Sequence, residues 1–396
     1  MFLFFLSSAN CGRSTTCEAP LTFAEPINNA KLLQIQLLLR HGERTPGGNH
    51  FPDFNTGEWH CDENNSIAPR FHPAPAWHPR DYYEHFDSRL MAYPPSCRPE
   101  DLTTYGMQQH FELGKAVKEH YSKNEGFMPE NANPETTYAR ATELDRTVKS
   151  AVSFLQGMYP PTSPNEVVPL VTDTPEAGIL HPDENWCSEL QGLEDEFFAQ
   201  QYVQDYFNNF SAKYKQLFVD HGMKFNIKQV KKYSSFISLA SCSEHNLPDW
   251  ITDELIDDCK KYLSFYNYNK NNNDKYRGIG AAPLFREMFR IADQRVSLQN
   301  KYRVVLLSSH DGALLAVLST FKFTEEYGPT VRSHLILELW DRNGQVWARF
   351  VFNGKPVAID FVKQEADTGL FLYSNFKIQM ARLGYINHCY VPEWEK

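Results

Sequence analysis

The segment KLLQIQLLLRHGERTPGG, residues 31 to 48, governs the prediction of the fold because it joins an apolar run directly to a cluster of charge. Residues 32 to 39 are nearly all apolar, which is typical of a strand covered on both faces in the middle of a sheet. Four charged or titratable residues follow at once: Arg40, His41, Glu43 and Arg44. Open α/β sheets bind ligands outside the carboxyl ends of their strands, so this pattern indicates a ligand site.

Two later segments repeat the arrangement of strand, polar residues and helix. A short strand candidate, ETTYAR, ends at Arg140, and an apolar strand from Tyr302 to Leu307 leads to His310 and Asp311. Helical periods follow both strands, and we expect Gly157 to help end the first of these helices. This alternation predicts an α/β fold with a mixed, mainly parallel central sheet flanked by helices.

The chain between about residues 175 and 274 has a different sequence pattern, with few strand signals and many polar residues at helical spacing. We therefore predict three parts. Residues 1–30 form a signal or N-terminal extension, residues 31–174 together with 275–396 form the α/β domain, and residues 175–274 form an inserted helical cap.

The overall composition excludes some classes of protein. With 42% hydrophobic and 14% aromatic residues in 396, the chain is an ordinary globular protein rather than a disordered one. Its formal net charge of −10, without a long basic run, argues against nucleic acid as a partner. We found no apolar segment approaching the length of a membrane-spanning helix.

Several features favour an oxidising compartment. The eight cysteines are scattered and none forms a CxxC pair, which favours disulfides over a zinc or redox site. Asn64 and Asn209 begin glycosylation sequons. The N-terminus MFLFFLSSANC fits a short signal peptide cleaved after Ala9, with a truncated start as the alternative. We expect a protein that is secreted or lies in the lumen of the secretory or lysosomal pathway.

The polar residues after the three strands would converge on one pocket, and their types indicate its ligand. Several arginines and two histidines in one cleft call for an anion, and the fixed fork of arginine donors suits phosphate especially well. The sequence therefore predicts a phosphate site.

The same residues carry a family resemblance. RHGERTP (40–46), YARATELDRT (138–147) and LLSSHDGALLAVL (306–318) resemble the three signature segments of the histidine acid phosphatases, in the same order. LTTYGMQQHFELGK (102–115) and GIGAAPLFREMF (278–289) resemble the segments between them. The resemblance implies a mixed sheet with a smaller helical domain, and it covers most of the chain from Lys31 onward.

The resemblance also assigns roles to individual residues. His41 matches the nucleophile that accepts the phosphoryl group, and Asp311 matches the donor that protonates the leaving alkoxide. The residues that hold phosphate would be Arg40, Arg44 and Arg140, with His310 as a further donor. The implied substrate is a small-molecule or sugar phosphate monoester, with no metal or other cofactor, and the family often forms homodimers.

Two groups of residues have other interpretations. Asp145 and Arg146 also match the family, but neighbours on a helix do not face each other, so we expect separate structural partners for them. A histidine-rich loop could instead form a metal site, but its histidines do not have the close spacing of metal ligands. We expect this loop to lie above the active site. Its histidines are His50, His60, His72, His78 and His85.

Two further questions stay open at this stage. The long loop after the first motif resembles the 2-phosphoxylose phosphatase branch, and the prostatic and lysosomal type stays open as the alternative. A phosphomutase and a catalytically inactive phosphate-binding protein are rival functions, although related mutases typically use Glu as the acid and the motif residues are intact. Neighbouring arginines should lower the pKa of His41 and of Asp311 in the empty site, and we predict an acidic pH optimum.

Overall fold

The computed structural model describes residues 13–47, 56–61, 93, 96–161, 168–172, 178–182, 187–273 and 275–389. The strands are β1 (Lys31–Arg40), β2 (Thr137–Ala141), β3 (Val171–Thr172), β4 (Val304–Ser309), β5 (His334–Arg342), β6 (Gln345–Phe352), β7 (Lys355–Pro356) and β8 (Phe371–Leu372). The helices are α1 (Thr104–Tyr121), α2 (Asp145–Met158), α3 (Leu193–Phe198), α4 (Gln201–Asp220), α5 (Ile227–Cys242), α6 (Asp253–Lys270), α7 (Ala282–Val296), α8 (Asp311–Thr320) and α9 (Tyr373–Arg382).

All of these strands belong to one eight-stranded sheet in the order β3-β2-β4-β1-β5-β6-β7, with β8 paired to β6. The half from β3 to β1 is parallel, and the half from β1 to β7 is antiparallel. The expected mixed α/β sheet is confirmed, and β5 and β6 form an antiparallel hairpin. Because β1, β4 and β2 are parallel neighbours, their carboxyl ends lie side by side.

Helices cover both faces of the sheet, as the apolar β1 sequence requires. Leu37 and Leu39 belong to the apolar cluster that includes residues of α1 and α2. Leu38, pointing to the opposite face, belongs to the cluster that includes residues of α7, α8 and α9. The middle strands are therefore buried on both sides.

Helices α1 and α2 lie unusually close together, and two glycines explain why. A Cβ atom on Gly114 would lie 2.0 Å from the Phe154 carbonyl oxygen, and one on Gly157 would lie 1.9 Å from the Phe111 carbonyl oxygen. As expected, α2 ends close to Gly157, at Met158. Gly157 also serves the packing of the two helices.

Helices α4, α5 and α6 pack around an apolar cluster of their own, which includes Phe218, Phe236 and Leu255. α3 contributes Phe197 and Phe198 to a neighbouring cluster with Tyr266 of α6. These helices lie within the stretch for which we predict a cap, and the boundaries at 175 and 274 stay a prediction.

Three disulfides join distant parts of the chain: Cys17–Cys242, Cys61–Cys97 and Cys187–Cys389. Cys259 is a free, buried thiol whose pKa is raised to about 12 by burial, so it does not follow the expected pairing. Cys11, the Asn64 sequon and the signal-like segment lie outside the described residues. Within the described part of the chain, no helix is both long and apolar enough to cross a membrane.

Candidate active site

The first residue of the site, His41, is fixed at the end of β1. Its backbone N–H donates to the Ser309 carbonyl of β4 at 2.9 Å, and its ring is almost fully buried. The Nδ1 atom lies 2.8 Å from the Gly42 carbonyl oxygen. A carbonyl can only accept, so Nδ1 carries the proton of the neutral ring and Nε2 keeps a free lone pair. The backbone thus selects the tautomer with a nucleophilic Nε2.

The segment after His41 is pressed against α1. A Cβ on Gly42 would lie 2.4 Å from the Gly106 carbonyl oxygen, so only glycine fits at this position. Thr103 caps α1 by accepting from the Gly106 N–H at 3.0 Å, and it also contacts Glu43. This contact holds the RHGER turn in place.

His41 is kept neutral by its surroundings. Its pKa is lowered well below the ordinary value, first by burial and then by the charges of Arg40, His310, Arg146 and Arg44. The lowering of the His41 pKa agrees with the sequence-based prediction, and burial is its largest cause.

The arginines of the site are held by carboxylates. Arg40 lies 3.2 Å from the Asp311 carboxylate, while Arg44 and Arg146 share Glu100 at 3.8 and 3.2 Å. Burial lowers the pKa of Arg44 to about 10, which still leaves it cationic below pH 9. Three guanidinium groups therefore surround His41.

Asp311 begins α8, directly after His310. Partial burial raises its pKa, but Arg40, His310 and Arg44 outweigh that effect and leave the pKa below its ordinary value. Asp311 is thus a carboxylate in the empty site. Its ion pair with Arg40 places it beside the strand end that carries His41.

His310 stands between β4 and α8 with its ring buried. Its ring is edge-on to His41 with centroids 5.5 Å apart. Its Nε2 lies 3.1 Å from the Thr142 hydroxyl. Its pKa is lowered well below the ordinary value by burial, followed by the charges of Arg146 and His181.

The structure does not bring Arg140 into this cluster as predicted. Arg140 pairs with Leu307 of β4, whose side chain faces the α7 side of the sheet, and its guanidinium lies 3.5 Å from Glu287 of α7. Strand alternation sends the side chain to that face. The prediction for Arg140 therefore needs correction, and Arg146 supplies the third guanidinium beside His41.

Arg146 and His181 are the site residues that the sequence argument missed. Asp145 has a structural partner, as expected, in Lys149 at 2.9 Å, whereas Arg146 in the same first turn of α2 approaches the site. The signal for Arg146 was its position just after the carboxyl end of β2. His181 lies with its ring centroid 4.7 Å from that of His310, and no motif marked it.

A cleft of about 360 Å³ opens in front of these groups. Its sheet side includes Arg40, Arg44 and Asp311, and its other side is formed by α5 and α6, with Lys231 and Lys270 among the lining residues. The helices of the predicted cap thus face the phosphate-binding groups across the cleft.

The histidine-rich loop is largely beyond the described residues, since His50, His72, His78 and His85 all lie outside them. His60 is exposed and lies 3.8 Å from Glu58. Among the described residues, the one trio of potential metal ligands is Cys187, Glu189 and Cys389, and its two cysteines are bonded to each other.

A parallel strand pair that ends in a buried neutral histidine, three arginines and a carboxylate defines an α/β protein built to take up a phosphoryl group on histidine. The model of the histidine phosphatase superfamily, branch 2, matches residues 31–353. The chain therefore belongs to branch 2 of the histidine phosphatase superfamily. The expectation based on the three motifs is confirmed.

Individual relatives agree with this family. The chain is 22% identical over 361 residues to counting factor 60 of Dictyostelium discoideum, covering 87% of this chain and 85% of that protein. It is 24% identical over 275 residues to human prostatic acid phosphatase, covering 64% and 69%. The fold resembles the phytase from Citrobacter braakii with a TM-score of 0.61 and 12% identity, covering 89% of this chain and 98% of that one.

Proposed function

We propose that this protein hydrolyses phosphate monoesters by transferring the phosphoryl group to Nε2 of His41. The observation that carries the proposal is the hydrogen bond between His41 Nδ1 and the Gly42 carbonyl, which leaves Nε2 as the nucleophile inside a ring of arginines. The family and its acid phosphatase relatives support the enzyme class of phosphoric monoester hydrolase.

In the first step, the Nε2 lone pair attacks phosphorus while the bond to the ester oxygen breaks. Protonated Asp311 gives its proton to the departing alkoxide, so that an alcohol leaves and a carboxylate remains. In the second step, that carboxylate takes a proton from water, and the oxygen of water attacks the phosphohistidine. Inorganic phosphate departs, and His41 and Asp311 return to their starting states.

The charge that develops on the transferring phosphoryl group would be met by Arg40, Arg44 and Arg146, with His310 as a fourth partner. The three arginines stand around His41 before substrate arrives, so they need little reorganisation during transfer. Phosphate would replace Glu100 as the anion between Arg44 and Arg146.

The pKa shifts favour activity in acid. The lowered pKa of His41 keeps the nucleophile unprotonated below its ordinary value. Asp311 must be protonated to act as the acid, and its lowered pKa in the empty site means that low pH supplies that form. A bound phosphate dianion offsets the arginines and raises the pKa of Asp311 again. We therefore expect kcat/KM to fall as the pH rises from 5 to 9.

We also propose that the substrates are small-molecule or sugar phosphates whose leaving group occupies the cleft. The three disulfides support a secreted or luminal location, because such bonds persist in oxidising compartments. Asn209 is exposed on α4, as a glycosylated asparagine must be.

The decisive experiment measures hydrolysis of an aryl phosphate with excess chelator from pH 4 to pH 9. The wild-type protein should be active and most active in acid, and His41→Ala should be inactive. Single-turnover labelling should place acid-labile phosphate on His41, which a protein that only binds phosphate would not show. Product analysis separates hydrolase from mutase, since a mutase returns the phosphoryl group to a product rather than to water. Activity that survives loss of His41 would contradict the proposal.

A further inference from the structure

Two buried threonines lie in a hydrogen-bonded row beside His310. Thr142 follows β2, Thr147 lies in the first turn of α2, and the side chains of both are buried. Their hydroxyl oxygens are 2.7 Å apart, and Thr142 Oγ1 is 3.1 Å from His310 Nε2. Backbone bonds hold the pair rigidly, because the Thr142 N–H and the Thr147 carbonyl both bond to Ser308 of β4.

The direction of these bonds follows from the carbonyl groups at one end. Thr147 Oγ1 lies 2.7 Å from the Leu144 carbonyl oxygen and 3.1 Å from the Thr142 carbonyl oxygen. Carbonyls only accept, and two oxygens at 2.7 Å without a proton between them would oppose lone pairs, so the Thr147 proton points to a carbonyl. Thr147 must then accept from Thr142.

Thr142 has a single hydroxyl proton, which it donates in the hydrogen bond to Thr147 Oγ1. Thr142 Oγ1 can therefore only accept from His310, which places a proton on His310 Nε2. A neutral ring carries one proton, so Nδ1 of His310 has none. The lowered pKa of His310 keeps the ring in this neutral form in the empty site.

We propose that Thr142 and Thr147 form a hydroxyl relay that fixes the Nε2–H tautomer of His310, so that the ring binds an oxyanion only by taking up a proton on Nδ1. An oxyanion without hydrogen can only accept hydrogen bonds, and an unprotonated Nδ1 can also only accept. The two therefore cannot form a hydrogen bond with each other. Protonation turns Nδ1 into a donor while Nε2–H stays on Thr142. Thr142 is thus a positioning residue that acts through His310, an inference that rests on the proposed phosphate site.

The charged and titratable groups around His310 come from several elements. Arg146 of α2, His181 and Arg44 disfavour its imidazolium form, and Asp311 favours it. His41 stands edge-on to its ring. A bound dianion would offset the three opposing charges, which is why the proton arrives together with the ligand.

Sulfate is a suitable probe because it has no titratable proton between pH 4 and pH 8. Sulfate is titrated into the whole protein at pH 5.5 in two buffers of different ionisation enthalpy. The difference between the two heats of binding gives the number of protons taken up. Because His310 interacts with Asp311, every variant is also made in an Asp311→Asn background, and the informative quantity is the difference in proton uptake between variants. Wild type and Thr142→Ser should take up about one proton more per sulfate than Thr142→Val, whose His310 is free to donate from a neutral Nδ1–H.

Thr147→Val tests the relay more specifically, because Thr147 acts on His310 only through Thr142. With the Thr147 hydroxyl gone, Thr142 turns its proton toward His310 Nε2, and proton uptake should fall as in Thr142→Val. Thr320→Val is the matched control, since Thr320 is another buried helical threonine, donating to the Ala316 carbonyl at 3.1 Å. It should behave like wild type.

Equal proton uptake in wild type, Thr142→Val and Thr147→Val would overturn the relay, even if phosphatase activity is present. If Thr142→Val does not fold, Thr147→Val and Thr142→Ser still decide the question. The measurement needs no turnover, so it is separate from the test of His41. Failure of wild type to bind sulfate would count against the phosphate site itself, and with it the relay.

Discussion

Arg140 and Arg146 both lie near the carboxyl end of β2, but their side chains have different surroundings. Arg146 approaches His41 with a side chain that is 13% exposed, and it lowers the pKa of both active-site histidines. Removing one preorganised donor from developing charge costs about 2.7 to 4 kcal/mol, or roughly 10²- to 10³-fold in kcat. We expect that loss for Arg146→Gln.

Arg140→Gln should be far milder, although Arg140 is equally buried. Its partner Glu287 keeps two bonds to Arg290, at 2.7 and 2.8 Å, so the carboxylate is not left without a cation. We expect a loss of kcat of less than about tenfold, which corresponds to about 1.4 kcal/mol in the barrier.

The assay compares kcat and KM of both variants and wild type with an aryl phosphate at pH 5, with circular dichroism and thermal melting as controls for folding. The ratio between the two variants is the decisive quantity, since both remove one buried guanidinium from the same region. A folded Arg140→Gln that loses as much kcat as Arg146→Gln would refute the reasoning from strand alternation and restore the motif-based assignment.

Three other predictions test the acid, the pH dependence of stability and the core. Asp311→Asn should lower kcat about 10²- to 10⁴-fold for alkyl phosphates but much less for 4-nitrophenyl phosphate, whose leaving group needs little protonation; equal losses would contradict the assigned role. Burial lowers the pKa of His334 to about 4 from 6.5, so stability should fall as the pH drops below 6.5. By pH 4.5 the free energy of unfolding, measured in urea, should be about 2.5 kcal/mol lower. His334→Gln should not show this dependence of stability on pH, whereas Thr22→Val should still show it. Glu338→Leu should lose about 3 to 5 kcal/mol of unfolding free energy because it leaves Arg349 charged and buried; a change below 1 kcal/mol would argue against that ion pair.

Much of the fold could be predicted because its signals are local and periodic. The apolar run of β1 requires cover on both faces, and the polar residues after β1 and β4 mark the ends that become neighbours. His41, His310 and Asp311 were found in this way, since a residue directly after a strand lies at its carboxyl end whichever face it takes.

The remainder depends on direction and packing, which a linear pattern does not contain. Arg140 lies inside β2, where the face is set by register with β4, and Arg146 depends on how the first turn of α2 leaves the strand. Cys259 shows the same limit, because an even number of cysteines does not reveal that one of them packs in a helical core. Gly157 lies near a helix end as expected, but its close contact with α1 has no signal in the linear pattern.

The pairing of β1 with β4 also bears on when activity arises during synthesis. His41, the proposed nucleophile, is translated early, but the strand whose carbonyl holds its backbone, and Asp311 beyond that strand, are translated in the last third of the chain. A nascent polypeptide that stops before Val304 has His41 without its neighbouring strand, without His310 and without Asp311. The proposed catalytic groups can therefore come together only after translation has passed Asp311.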